Sequence, residues 1–254
     1  LSLVKYFILD EADEMLSMGF KSEIDKILDK IPLERRIYLF AATLSQKVKK
    51  ITQTYMENPL MISMSNANKG AETVKHIYYV SKKSNRYDII KNIIDINKSI
   101  YTIIFCRTRR ETKEISSKLI GDNYKAKVLN GDLSQSERDQ AMKQFRTKKI
   151  NILIATDVAS RGIDVDSLTH IINYTLPDDP EVYVHRSGRT GRAGNQGLSI
   201  ALVTKKEHQR LKEIEKLFKI SFKKNEMPTE AEIFKSQIDS FTDTIVNTSI
   251  PLEK

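Results

Sequence analysis

Apolar runs of strand length, each followed by a stretch of helical periodicity, recur along most of this 254-residue chain. Residues 4–9 (Val-Lys-Tyr-Phe-Ile-Leu) form such a run and end abruptly in acids. That is the pattern of a buried parallel strand with a site at its carboxyl end. Met15, Leu16, Phe20, Ile24, Ile27, Leu28 and Ile31 then recur at helical spacing until Pro32 stops the helix. A second buried strand is expected over 37–42, then a helix over about 45–56 and a short extended piece at 60–64. Strand, helix, strand, helix in this order implies a parallel sheet with right-handed crossovers, an α/β fold.

The alternation breaks once. Residues 65–73 (Ser-Asn-Ala-Asn-Lys-Gly-Ala-Glu-Thr) are small and polar without apolar periodicity, so the linker is placed at 67–73. The first part is then 1–66 and the second 74–225. In the second, strands are expected over 77–80, 102–106, 126–129, 150–155, 170–174 and 198–202. Helices are expected over about 86–97, 111–121, 136–145, 180–185 and 206–218. Residues 226–254 are expected to be a short docking segment that fades into a polar tail after Gln237.

Charge divides at the same place. Residues 1–66 carry nine Lys or Arg and nine Asp or Glu, so the whole formal excess of +9 lies after Asn66. A neutral first part joined to a basic second part points to an anionic partner, most plausibly nucleic acid; a basic but idle surface is the alternative. Cys106 is the single cysteine, which leaves no disulfide framework or disulfide-linked partner and fits a reducing, cytoplasmic setting. No apolar run approaches the ~20 residues that span a bilayer, and the expectation is no membrane association. The chain opens on Leu1 close to a strand, as a piece of a longer polypeptide would.

Two stretches carry the chemistry. Residues 183–194 (Tyr-Val-His-Arg-Ser-Gly-Arg-Thr-Gly-Arg-Ala-Gly) set Arg186, Arg189 and Arg192 three apart, with Gly188, Gly191 and Gly194 between and after them. Planar cationic forks on an open backbone suit phosphate, although a solvated basic helix end has the same composition. Far upstream, Asp10-Glu11-Ala12-Asp13 follows the first strand, where carboxylates can hold a hydrated Mg²⁺ and orient a water. On their own such acids equally suit a helix N-terminus.

Together with Thr43 after the second strand, these stretches resemble the DEAD-box family of ATP-dependent RNA helicases, and the resemblance runs to about Gln237. It implies two RecA-like domains, here the first incomplete and the second complete, with ATP in the cleft between them and single-stranded RNA across both. By that resemblance Asp10 and Glu11 hold Mg²⁺ through water, Glu11 positions the attacking water, and Asp13 links to other motifs. Arg189 and Arg192 match the arginine fingers that reach the γ-phosphate, and Asp164 matches the ribose contact. Thr43, Arg161, His185 and Arg186 are implied in coupling the two domains, with Thr43 facing His185. RNA contacts, mainly to the backbone, are implied for Arg107, Thr108 and Arg109, for Gly131, Gln135 and Arg138, and for Thr156 and Gly162.

Two positions depart from the family pattern. Ala41 stands where a serine is usual, which removes a hydroxyl expected to bond Asp13. Asn130 stands where a histidine is more usual. The nine glycines lie at 19, 70, 121, 131, 162, 188, 191, 194 and 197, and no two are five apart, so no phosphate-cradling loop is encoded here. The expectation is that residues 1–254 alone have no appreciable ATPase activity. A non-catalytic RNA-binding or scaffold module is the alternative, and a DNA-directed helicase of a related family a third reading.

Overall fold

The computed structural model describes residues 1–17, 19–44, 46–63, 73–97, 99–160, 165, 167–192 and 194–247. Packing divides the chain into two units, Leu1–Lys69 and Gly70–Lys254.

The first unit contains β1 (Tyr6–Leu9), α1 (Ala12–Ser17), α2 (Lys21–Leu28), β2 (Arg36–Leu39) and α3 (Gln46–Tyr55). β1 and β2 pair in parallel from Tyr6↔Arg36 to Leu9↔Leu39. Leu9, Leu16, Ile24, Leu28, Val48 and Ile51 close one core under this two-stranded sheet. The single helix expected up to Ile31 is instead two. Gly19 at φ +88° turns the chain between α1 and α2, a conformation that glycine adopts without the Cβ penalty. Residues 60–63 form no strand.

The second unit is larger. In chain order it contains β3 (Val74–Val80), α4 (Arg86–Ile96), β4 (Thr102–Phe105), α5 (Arg109–Gly121), β5 (Ala126–Leu129), α6 (Gln135–Arg146), β6 (Ile152–Ala155) and β7 (His170–Asn173). These are followed by α7 (Pro180–Ser187), β8 (Gly197–Val203), α8 (His208–Phe218), β9 (Phe222–Lys224) and α9 (Glu230–Asn247). Seven strands form one sheet in the order β5-β6-β4-β7-β8-β3-β9, and every paired neighbour is parallel. Adjacent residues on the central strands alternate between two cores. Ile104, Ile154 and Ile172 belong to one, and Ile103, Leu153 and Ile171 to the other. Helices therefore cover both faces, as parallel crossovers require.

Helix starts follow local chemistry. Thr108 with Glu111 forms a capping box on α5, and Ser134 with Glu137 one on α6. Asp179 caps α7, with Pro180 at its first turn. Two elements differ from expectation. β9 has three residues, Phe-Lys-Lys, too few to show alternation, and is created by pairing with β3. The segment expected to fade after Gln237 continues as a helix to Asn247, and it is joined to α4 where the Ser236 hydroxyl donates to the Ile96 carbonyl at 3.0 Å.

Candidate nucleotide and nucleic-acid interface

In the first unit β1 delivers its carboxylates into a turn tied to the end of β2. The Ala12 N–H donates to the Phe40 carbonyl at 3.0 Å, and the Glu11 N–H donates to Asp10 Oδ1 at 2.9 Å. Glu11 lies at φ +50°, in the left-handed region that non-glycine residues rarely occupy. Such a backbone costs on the order of 1–3 kcal/mol and persists only where the surroundings over-determine it. Here they do, because Ala12 is fully buried next to it. Asp10 and Glu11 both remain exposed at the strand's carboxyl end.

Asp13 points the other way and is buried. Its Oδ2 accepts from the Thr43 N–H at 2.7 Å and from the Thr43 hydroxyl at 2.8 Å. This bears on the hydroxyl missing at residue 41: Asp13 accepts two hydrogen bonds from Thr43 although residue 41 is alanine. The donor set at 10–11, two hard carboxylates at an open strand end, fits Mg²⁺ held through water. Among the described residues no group of three or more His, Cys, Asp or Glu is gathered as a direct metal cage.

In the second unit, register brings the segments that carry 107–109, 131–138 and Thr156 to the carboxyl ends of neighbouring strands. Phe105 is level with Ala155 and with Asn173, and Leu129 is level with Ala155. The segments that follow β4, β5, β6 and β7 thus emerge side by side, where open α/β sheets bind ligands. Arg107 follows β4, and its guanidinium donates to Asp178 Oδ1 at 2.6 Å. Arg210 reaches the same oxygen at 2.9 Å. The Thr108 oxygen accepts from the Glu111 N–H at 3.1 Å as the cap of α5. Arg109 meets Asp132 Oδ1 at 2.8 Å while Lys113 meets Oδ2 at 2.6 Å. Lys113 first, and then Arg109, hold the Asp132 carboxyl below its usual range. Gly131 lies under this pair, since a Cβ there would stand 3.6 Å from the Arg109 guanidinium carbon.

Asn130 is buried and builds that loop. Its amide donates to the Thr112 hydroxyl at 2.9 Å, and its oxygen accepts from the Asp132 N–H at 3.0 Å. Gln135 opens α6 and donates to Asp139 at 2.9 Å, and Arg138 lies one turn further on. Thr156 follows β6, and its carbonyl accepts from the Ser160 N–H at 3.0 Å. Arg161, Gly162 and Asp164 lie outside the described residues.

Arg186, expected in the interdomain set, is turned inward and is 3% exposed. It grips Asp157 with two bonds of 2.6 and 2.9 Å, and donates to Asn173 Oδ1 at 2.8 Å and to the Thr175 carbonyl at 3.0 Å. Its guanidinium carbon also stands 4.9 Å from the Phe105 ring centroid. With its fork occupied in this way, Arg186 anchors α7 to the ends of β6 and β7. His185 and Arg189 flank that anchor, and both are half-buried. Beneath α7 the buried Tyr183 hydroxyl joins His76 Nδ1 at 2.7 Å and the Ser199 hydroxyl at 2.9 Å. Burial lowers the His76 imidazole to about 4 and raises the Tyr183 phenol. Burial likewise pushes the Cys106 thiol up, which marks a packing cysteine rather than a nucleophile.

Sequence reasoning assigned no role to Asp132, Asp157 or Asp178, the carboxylates that organise the expected arginines. Asp132 and Asp157 sit inside the motifs that drew attention, so the signal was an acid beside each basic group.

A parallel sheet whose capped loops gather basic side chains at one edge, joined to a carboxylate-ended strand unit, defines the RecA-like class. Family models agree: the helicase conserved C-terminal domain matches residues 85–194, and the DEAD/DEAH box helicase model matches residues 1–51. The chain is 40% identical over 237 residues to ATP-dependent RNA helicase CshA of Limosilactobacillus reuteri, covering 93% of this chain and 48% of that one. Among solved structures it is similar to S. cerevisiae Dbp5 bound to RNA and ADP BeF3, with TM-score 0.83, 29% identity, and 93% and 64% of the two chains covered. The separate C-terminal domain of the DEAD-box protein Dbp5 matches at 30% identity and TM-score 0.59, covering 66% of this chain and 98% of that one. The chain belongs to the DEAD-box helicase family. It spans about half the length of the curated relatives it matches.

Proposed function

We propose that this chain is the part of an ATP-dependent RNA helicase in which the hydrolytic carboxylates and the arginine fingers both reside. The observation that carries this reading is the paired construction of the two stretches. Asp10 and Glu11 are presented from a backbone turn tied to β2, and Arg189 follows directly on the buried Arg186 anchor. Each set is held by its own unit, as preorganised electrostatic catalysis requires.

In this reading Asp10 and Glu11 hold Mg²⁺ through water, which would neutralise phosphate charge. Glu11 orients the attacking water. Asp13 keeps Thr43 and the acidic turn in one piece. Arg189 and Arg192 stabilise charge that develops on the γ-phosphate, an effect of about 10³–10⁵ in rate for such fingers. Asp164 contacts the ribose, and Thr43, Arg161, His185 and Arg186 couple the two units. Arg107, Thr108, Arg109, Gly131, Gln135, Arg138, Thr156 and Gly162 meet the RNA backbone, so binding carries little sequence preference and weakens steeply with salt. The setting is cytoplasmic.

The test is RNA-stimulated ATP hydrolysis by the full-length product of the parent gene. Glu11→Gln and Arg189→Ala should each abolish stimulated turnover while RNA still binds. Full turnover in either variant would refute the assignment. Purified residues 1–254 alone should show no turnover, since no phosphate-cradling glycine spacing is present.

A further inference from the structure

The loop that carries Arg189 and Arg192 is held at its midpoint by a residue from outside its own motif. Gly191 lies between the two arginines, and its carbonyl accepts a 2.7 Å hydrogen bond from the Thr73 hydroxyl. The Thr73 carbonyl in turn accepts from the Gly197 N–H at 2.9 Å. Thr73 is therefore bonded on both sides, to the arginine loop by its side chain and to the start of β8 by its backbone.

The approach is close and shaped for glycine. Gly191 lies at φ +70°, and a Cβ there would stand 2.6 Å from Val74 Cγ2 and 2.8 Å from Thr73 Oγ1. A Cβ at Gly197 would stand 2.5 Å from the Gly191 nitrogen and 2.6 Å from Thr190 Oγ1. Neither glycine can be enlarged without moving the loop. The loop's other ends are also fixed. Arg186 is locked to Asp157, and the buried Thr190 hydroxyl donates to the Leu168 carbonyl. Arg192 bends back so that its Nε donates to the Gly188 carbonyl at 2.9 Å. Between Thr190 and Arg192, the Thr73 side chain holds the backbone through the Gly191 carbonyl.

We propose that Thr73 is a positioning residue for the arginine segment: its hydroxyl, donating to Gly191, sets the backbone from which Arg189 and Arg192 project. This rests on the finger reading above. Thr73 is the last residue of the polar stretch in the sequence, and it is bonded to the loop that carries the two arginines. A group placed about 1 Å from its productive position can lose on the order of 100-fold in rate. An interaction needed only in the transition state lowers kcat without raising KM.

The experiment measures RNA-stimulated ATP hydrolysis by the full-length protein carrying T73V, T73A or T73S, with R189A in parallel. ATP and RNA titrations and thermal melts accompany each variant. The expected result is a kcat lower by about 10-fold or more in T73V and T73A. KM for ATP, RNA affinity and melting temperature should stay near wild type, and T73S should restore the rate. An unchanged kcat in both T73V and T73A while R189A is inactive overturns the inference and leaves the finger reading standing. So does a kcat loss that T73S fails to rescue and that tracks melting temperature and RNA affinity, because that marks a merely structural clasp. Full activity in R189A removes the finger reading and this inference together.

Discussion

The sheet of the first unit and the sheet of the second differ in what covers them. In β1 and β2 side chains alternate: Phe7, Leu9, Ile37 and Leu39 turn to the core, while Tyr6, Ile8 and Tyr38 are 58, 62 and 41% exposed. In β4 and β6 every residue is buried, because helices lie on both faces. The strand sequences are nevertheless alike. Tyr-Phe-Ile-Leu in β1 is as apolar as Thr-Ile-Ile-Phe in β4. Composition reports that a strand suits burial on both faces, whereas the partner layers decide whether it has it.

The strongest break of this comparison is to separate the units. Residues 70–254 expressed alone should unfold in one cooperative transition, and residues 1–69 should show none, checked by circular dichroism in urea. A cooperative transition in 1–69 would mean that the bare face does not limit that unit.

Next in size is Arg186→Ala, which leaves the Asp157 carboxylate without its buried partner. It should destabilise the second unit by about 3 kcal/mol, read from chemical denaturation. A loss under ~1 kcal/mol would show that the pair with Asp157 contributes little to the stability of the unit.

Paired isoleucines sharpen the contrast between the sheets. Ile104→Ala in β4 should cost about 2–5 kcal/mol. Ile8→Ala on the exposed face of β1 should stay within about 0.5 kcal/mol. Equal costs would show that the face of β1 is covered.

A further effect is a histidine pH dependence in the second unit. Burial holds His76 and His170 at about 4, below the ordinary value of 6.5. The unfolded chain therefore binds more protons than the folded one between those values. Stability should be complete above about pH 6.5 and decline as pH falls toward 4, by about 2–3 kcal/mol for His76. His76→Gln should flatten that slope. A slope unchanged by the substitution would assign it to other groups.

Much of this was legible from residue order. Apart from β9, the strands of the second unit run four to seven residues, and most boundaries fall within a few residues of the apolar pattern. Thr108, Ser134 and Asp179 announce helix starts by local hydrogen bonding that needs no tertiary partner. Two of the misses share one cause. β9 exists because β3 offers an edge, and α9 extends because α4 offers a surface. Neither neighbour is near in sequence. The break at Gly19 was a local signal, overridden in the sequence reading by continuous apolar spacing on both sides of it.

The site shows the same division. The resemblance carried by the motifs singled out Asp10, Glu11, Arg189 and Arg192 as candidates for phosphate chemistry, and no structure was needed to see that the chain alternates strand and helix. Only tertiary structure could say that Arg186 faces inward to Asp157, that Thr43 donates twice to Asp13, and that Thr73 bonds Gly191 across 118 residues of chain. Local order sets backbone preference and the chemistry on offer. Which donor meets which acceptor depends on strand register and close packing between segments far apart in sequence, and those are properties of the folded chain.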